Sequence, residues 1–155
     1  MNYSRIKVQS TGAVGAVVSG VNLRDIDDET LEELRHAFAA YSVLFFRDQD
    51  LTPDDHLAFA ERWGDINVNR FFATVADYPR IAEVRKGKEQ KFNVGGAWHT
   101  DHSYDPIPAM GSILYAIDVP PVGGDTLFAS TCAAFETLSE GLKDTLLNLN
   151  AVHSS

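Results

Sequence analysis

Apolar positions change their spacing several times along this chain, and each change marks an element. Ile6 to Gln9 and Gly15 to Val18 are short β-prone pieces separated by Thr11-Gly12, with Ser19-Gly20-Val21-Asn22-Leu23 as the turn leading out. From Asp28 the apolar residues fall at Leu31, Leu34, Phe38 and Tyr41, one face of a helix capped by Asp27 or Asp28. That spacing predicts a helix over 28–41. Val43-Leu44-Phe45-Phe46 is a continuous apolar run between polar residues, too short for a helix, which predicts a strand buried on both faces. Thr52-Pro53-Asp54-Asp55 predicts a second helix start: Thr52 caps, Pro53 takes the first helical position and Asp55 lies near the positive end of the dipole. This helix should reach Trp63 and end at Gly64. His36 and His56, on these two helices, are expected to face solvent.

The pattern loosens between Asp65 and Gly95, as expected of loops around a pocket, with a strand at Ile81-Ala82-Glu83-Val84 and a solvated basic turn at Arg85-Lys86-Gly87-Lys88. Gly111 to Val119 predicts a strong strand. Pro120-Pro121-Val122-Gly123-Gly124-Asp125-Thr126 predicts a turn, rigid at its start and permissive in its middle, that returns into Leu127-Phe128-Ala129. Helical character resumes at Thr131 to Leu138, and again where Ser139 caps a segment carrying Leu142, Leu146 and Leu149.

Composition narrows the class without naming a function. A chain of 155 residues is one domain's worth, and acids outnumber Lys and Arg by 22 to 13 for a net charge of −9. With no dense Lys/Arg run, neither nucleic acid nor an anionic membrane is expected as a partner. Cys132 is the only cysteine, which excludes an intrachain disulfide framework and a Cys-rich zinc site, and it reads as a small apolar filler. Met1 to Gln9 lacks an apolar core of signal-peptide length, and no later segment is an uninterrupted transmembrane span. A cytoplasmic location is the expectation.

The chemistry concentrates at Trp98-His99-Thr100-Asp101, just after the pair Gly95-Gly96. In an extended strand alternate side chains share a face, so His99 and Asp101 point the same way. An imidazole and a carboxylate are two thirds of the 2-His-1-carboxylate triad that holds non-heme Fe(II). His-x-Asp alone is more often a surface histidine beside an aspartate. On the same strand geometry Trp98 packs behind the strand, and His102 falls on the face opposite His99, away from the ligand pair.

Three features then coincide: Trp98-His99-Thr100-Asp101, an apolar strand starting about ten residues later, and Gly123-Gly124-Asp125-Thr126 at the following turn. Together they resemble the taurine dioxygenase/2,4-dichlorophenoxyacetate dioxygenase family of Fe(II)/2-oxoglutarate-dependent oxygenases. The resemblance extends to Gly15–Gly20, to Val43–Gln49 with its Phe-Phe-Arg-Asp-Gln ending, to Phe59–Gly64 and to Ala133–Leu138. It implies an α+β fold, a double-stranded β-helix or jelly roll of the clavaminate synthase type with flanking helices. It implies His99 and Asp101 as iron ligands, Thr126 as a holder of a 2-oxoglutarate carboxylate, and Tyr104 and Asn69 beside the substrate. Fe(II), 2-oxoglutarate as co-substrate and O2 are the implied cofactors, for hydroxylation of a small organic molecule. The carboxylate of Asp101 speaks for hydroxylation, because related halogenases lack it.

The resemblance covers the family's N-terminal half, so residues 1–155 read as a single, incomplete dioxygenase domain. The family's distal histidine and following arginine have no counterpart here; His153 sits in a segment where the family's histidine is not that ligand. Uncovered sheet edges would then make a homo-oligomer an expectation. Taurine is disfavoured, because Asn67-Val68-Asn69-Arg70 and Asn93-Val94-Gly95-Gly96-Ala97 replace the residues that the taurine enzyme uses. Other sulfonates, alkyl sulfates and aryloxy or other carboxylic acids stay open, with activity expected of the whole domain and not assured for this chain alone. The alternatives are a non-catalytic fragment or interaction module, and a cupin-like metal enzyme of another reaction type.

Overall fold

A three-stranded sheet orders the beginning of the chain. In the computed structural model, which describes residues 2–153, β1 (Lys7–Ser10) pairs antiparallel with β2 (Ala16–Ser19), Lys7 opposite Ser19 and Ser10 opposite Ala16. The other edge of β2 takes β3 (Leu44–Phe46) in parallel, Ala16 opposite Leu44. Parallel neighbours need a crossover, and α1 (Asp28–Tyr41) supplies it. Gly15 at φ +92° makes the entry to β2 possible, since a Cβ there would come 2.8 Å from Thr11 Oγ1 and 3.0 Å from the Phe45 ring.

Helix α1 forms where its periodicity and its cap agree. Asp27 accepts from the Thr30 N–H at 2.8 Å, and Ser42 ends the helix in the left-handed region at φ 64°, its N–H bonding the Phe38 carbonyl. Leu31, Leu34 and Ala37 are buried on one face, and Leu34 is fully removed from solvent, a burial worth about 1.5–3 kcal/mol. With Ile6, Ala16, Val18, Leu23, Ile26 and Leu51 they make the core. Glu33 ties the entry of β1 to this helix by accepting from the backbone N–H groups of Ser4, Arg5 and Ile6 at 2.7, 2.9 and 3.2 Å. Gln49 pins the turn after β2, accepting from Leu23 N–H at 2.9 Å and donating to the Val21 carbonyl.

The chain divides into two compact units, Met1–Leu51 with Ala116–Ala151 and Thr52–Tyr115 with Val152–Ser155. The first also holds α3 (Thr131–Glu136) and α4 (Glu140–Leu147), capped by Ser130 and Ser139. In the second, α2 (Pro53–Glu61) opens with a capping box: Thr52 Oγ1 accepts from Asp55 N–H, and the Asp55 carboxylate accepts from Thr52 N–H at 2.9 Å. It packs beside β5 (Tyr78–Ala82), which pairs antiparallel with β4 (Thr74–Val75). Arg80 pairs with Glu61 at 2.5 Å and the Tyr78 hydroxyl donates to Asp54, binding strand to helix.

Several sequence expectations need correction. No ladder forms over Gly111–Val119 or Leu127–Ala129 among the described residues; both run irregularly, with Leu114 and Ile117 largely exposed. A strand exists only with a partner to receive its N–H and C=O groups, and among the described residues no strand pairs with these segments. Val43–Phe46, expected to be buried on both faces, is half-buried, because β3 is an edge strand with one paired side. Trp98 does not pack behind a strand and is 70% exposed, and Cys132 is exposed rather than a filler. The strand expected at 81–84 begins earlier, at Tyr78, where Val75 and Tyr78 close the turn between β4 and β5. No helix among the described residues is long and apolar enough to cross a membrane.

Candidate metal centre

His99 and Asp101 do not lie on a strand. Residues 98–100 are irregular and 101–104 form a turn, so the pair is brought together by turn geometry instead of by alternation. His99 Nδ1 lies 2.8 Å from the Ala97 carbonyl, and its Nε2 lies 3.1 Å from Asp101 Oδ1. Gly95, at φ +66°, admits the ring: a Cβ there would come 3.2 Å from His99 Cε1. A carbonyl only accepts, so Nδ1 carries the proton and a neutral ring leaves Nε2 bare. Two acceptors then face each other at 3.1 Å, an arrangement that requires a proton or a cation between them.

The same contacts favour the protonated ring. The Ala97 carbonyl, first, holds the His99 pKa above the ordinary imidazole value of 6.5 against desolvation by burial, and the Asp101 carboxylate adds to the rise. A divalent cation meets the same demand, because a bare imidazole nitrogen and a carboxylate oxygen are ordinary ligands for iron. The residues therefore fit Fe(II) as two of its protein donors. Both side chains are more than half exposed, leaving room for further ligands. Ser112 supports the carboxylate from behind, its hydroxyl donating to Asp101 Oδ2 at 3.4 Å. No group of three or more His, Cys, Asp or Glu side chains suited to a metal occurs among the described residues. His153 Nδ1 is taken by the Ser103 hydroxyl at 2.7 Å.

The remaining sequence candidates fall in two places. Tyr104 and Asn69 lie in the same unit as His99 and Asp101 and share one cluster: the Tyr104 ring stacks edge-on to Phe71 and leans on His102, while Asn69 Nδ2 reaches His102 Nε2 at 3.4 Å. Thr126 belongs to the first unit, exposed, just after Gly123 and Gly124, whose φ values of 80° and 77° give the turn its permissive middle. His36 stays exposed beside Glu32 as expected. His56 instead turns inward, with Nε2 3.2 Å from the Ile113 carbonyl and its ring against Tyr115.

Sequence reasoning missed Asp105. It receives Arg70 Nη2 on Oδ1 at 3.2 Å and His102 Nδ1 on Oδ2 at 3.0 Å. The available signal was the i,i+3 spacing of His102 and Asp105 within a turn.

The model for the taurine catabolism dioxygenase TauD, TfdA family matches residues 7–155. The chain belongs to the TauD/TfdA family. This TauD/TfdA chain is 37% identical over 147 residues to an (S)-phenoxypropionate/alpha-ketoglutarate-dioxygenase of Sphingobium herbicidovorans, over 90% of the chain and 50% of that protein. It is 34% identical to an alpha-ketoglutarate-dependent 2,4-dichlorophenoxyacetate dioxygenase of Cupriavidus pinatubonensis, over 89% of the chain and 54% of that protein. The crystal structure of a taurine dioxygenase from Burkholderia xenovorans superposes with a TM-score of 0.82 at 29% identity, covering 94% of the chain and 52% of that structure. The likeness bears out the expected α+β jelly-roll class with flanking helices. The chain spans about half the length of these relatives. The family is one of 2-oxoglutarate-dependent dioxygenases, with Fe(II), 2-oxoglutarate and O2 as its cofactors.

Proposed function

We propose that this chain carries the iron-binding turn of a cytoplasmic dioxygenase that couples decarboxylation of 2-oxoglutarate to hydroxylation of a small anionic molecule. The substrate class is a sulfonate, an alkyl sulfate, or an aryloxy or other carboxylic acid. The observation that carries the reading is His99 Nε2 facing Asp101 Oδ1 at 3.1 Å. Relatives named for phenoxypropionate, dichlorophenoxyacetate and taurine support an acidic substrate. When bound, Fe(II) would supply the redox chemistry by which 2-oxoglutarate, O2 and the substrate C–H become succinate, carbon dioxide and the hydroxylated substrate.

The protein's part is placement. His99 is oriented by the Ala97 carbonyl and Asp101 by Ser112, so both donors are aimed before a cation arrives. Thr126 is assigned to a 2-oxoglutarate carboxylate by family resemblance, and Tyr104, walled by Phe71, and Asn69 to the substrate side. The test is Fe(II) binding under anaerobic conditions by this chain and by His99→Ala and Asp101→Ala, followed by O2 and an assay for succinate. Loss of specific binding in both variants is expected; unchanged binding overturns the assignment. Metal binding without succinate favours the non-catalytic module, and succinate formation that depends on 2-oxoglutarate establishes the enzyme.

A further inference from the structure

Next to the metal pair, four polar side chains from two separate loops form one continuous hydrogen-bonded row. Arg70 donates to Asp105 Oδ1, Asp105 Oδ2 lies 3.0 Å from His102 Nδ1, and His102 Nε2 lies 3.4 Å from Asn69 Nδ2. The roles in this row are forced. Asn69 Oδ1 accepts from the N–H groups of Phe71 and Phe72 at 2.8 and 3.2 Å, which fixes the amide so that its NH2 faces His102. An amide NH2 only donates, so His102 Nε2 is the acceptor and Nδ1 carries the ring proton toward Asp105. The backbone repeats the closure, with Asp105 N–H on the His102 carbonyl at 3.0 Å.

His102 adopts a left-handed conformation, φ 52°, which costs a non-glycine residue energy and persists where surrounding bonds hold it. The holding is sheltered in the middle of the row: the His102 and Asp105 side chains are 17% and 15% exposed, while Arg70 at the far end is 71% exposed and contributes little. His102 directly follows Asp101 in sequence. Whatever fixes the His102 ring therefore also restrains the direction from which the Asp101 carboxylate leaves the chain.

We propose that His102 is a positioning residue that fastens the Asn69–Phe72 loop to the turn bearing Asp101, through the row Arg70–Asp105–His102–Asn69. Its bearing on catalysis rests on the reading of Asp101 as an iron ligand; the row itself does not. The loop so fastened carries Phe71 to the Tyr104 ring, which makes the same device a setter of the substrate wall.

Two measurements test it. In the unaltered chain at mildly alkaline pH, ring-nitrogen NMR of His102 should show Nδ1 protonated and Nε2 bare; an Nε2–H ring overturns the row. The second is Mn(II) binding, followed by electron paramagnetic resonance, for His102→Asn, Asn69→Ser and the double variant. Asparagine tolerates the left-handed turn and keeps a donor for Asp105, and serine keeps an acceptor for the Phe71 N–H, so both variants should fold. Each single change should weaken Mn(II) about tenfold, and the double variant should lose no more than either single one, since both cut the same link. Equal affinity to the unaltered chain, or losses that multiply to about a hundredfold, overturn the proposal. Asp101→Asn separates the two readings: it should abolish Mn(II) binding and leave the His102 ring signature intact. If it binds Mn(II) undiminished, the iron-site reading fails while the ring signature still decides the row.

Discussion

If His99 and Asp101 are iron ligands as proposed, protons and metal compete for one gap, the 3.1 Å between His99 Nε2 and Asp101 Oδ1. In acid the ring holds a second proton at Nε2, directed at the carboxylate, and a cation enters only when that proton leaves. One proton is therefore released per cation bound, and affinity should fall about tenfold per pH unit below the ring's pKa, levelling off above it. The Ala97 carbonyl and Asp101 raise that pKa, so the fall should already have begun above 6.5, the ordinary imidazole value. Mn(II) titration at constant ionic strength across neutral pH measures the slope. An affinity independent of pH would refute the reasoning, as would a loss of about a hundredfold per unit, which would mean two protons leave.

Without metal the sign reverses. A histidine whose folded-state pKa is raised contributes stability that is fully present below the unfolded value and is lost as pH rises through the folded value. Acidification through the neutral range should thus weaken the metal complex while the same ring, metal-free, contributes more to folding. The two effects share one proton, and a variant that abolishes one, Asp101→Asn, should diminish both.

Three further outcomes are expected. Leu34→Ala removes a fully buried side chain from the α1 face and should cost about 2–5 kcal/mol in urea unfolding, a loss below about 1 kcal/mol placing the core elsewhere. Thr52→Ala deletes the acceptor of the α2 capping box and should cost about 1 kcal/mol, with Thr52→Ser recovering most of it in the same assay. Glu33, held at about 2 first by the Ser4 N–H and then by the Ser4 hydroxyl and the N–H groups of Arg5 and Ile6, contributes stability present above the ordinary 4.5 and lost as pH falls toward 2. Melting temperature followed from pH 5 downward should therefore drop less steeply in Glu33→Gln than in the parent, and parallel curves would count against the clamp.

What the sequence made legible was local. The α1 helix follows from Leu31, Leu34 and Phe38 at helical spacing behind Asp27, and α2 from Thr52, Pro53 and Asp55, because caps and periodicity are properties of neighbouring residues. Strands depend on a partner, which is why Leu44–Phe46, lying beside β2, forms one and the equally apolar Gly111–Val119 does not. At the site, the identity of the pair was readable in His99-Thr100-Asp101. The row through His102 was not, because Asn69 and His102 are 33 residues apart and nothing periodic connects them.

The geometry of the pair nonetheless has a sequence logic, different from strand alternation. Two residues along a strand advance about 6.6 Å, so alternation makes two side chains parallel without making them meet at 3.1 Å. Meeting requires the chain to bend between them and stay bent. The residues that do this are written around the pair: Gly95 clears space for the ring, and Thr100 donates to Ser103 at 2.8 Å across the turn. Asp105 closes the turn onto His102 by both backbone and side chain. Each of these is a small polar or glycine residue that, taken singly, reads as surface. Their common effect is to spend local hydrogen bonds on holding two metal-competent atoms closer than two acceptors would otherwise remain, which is the condition for a cation to be favoured between them.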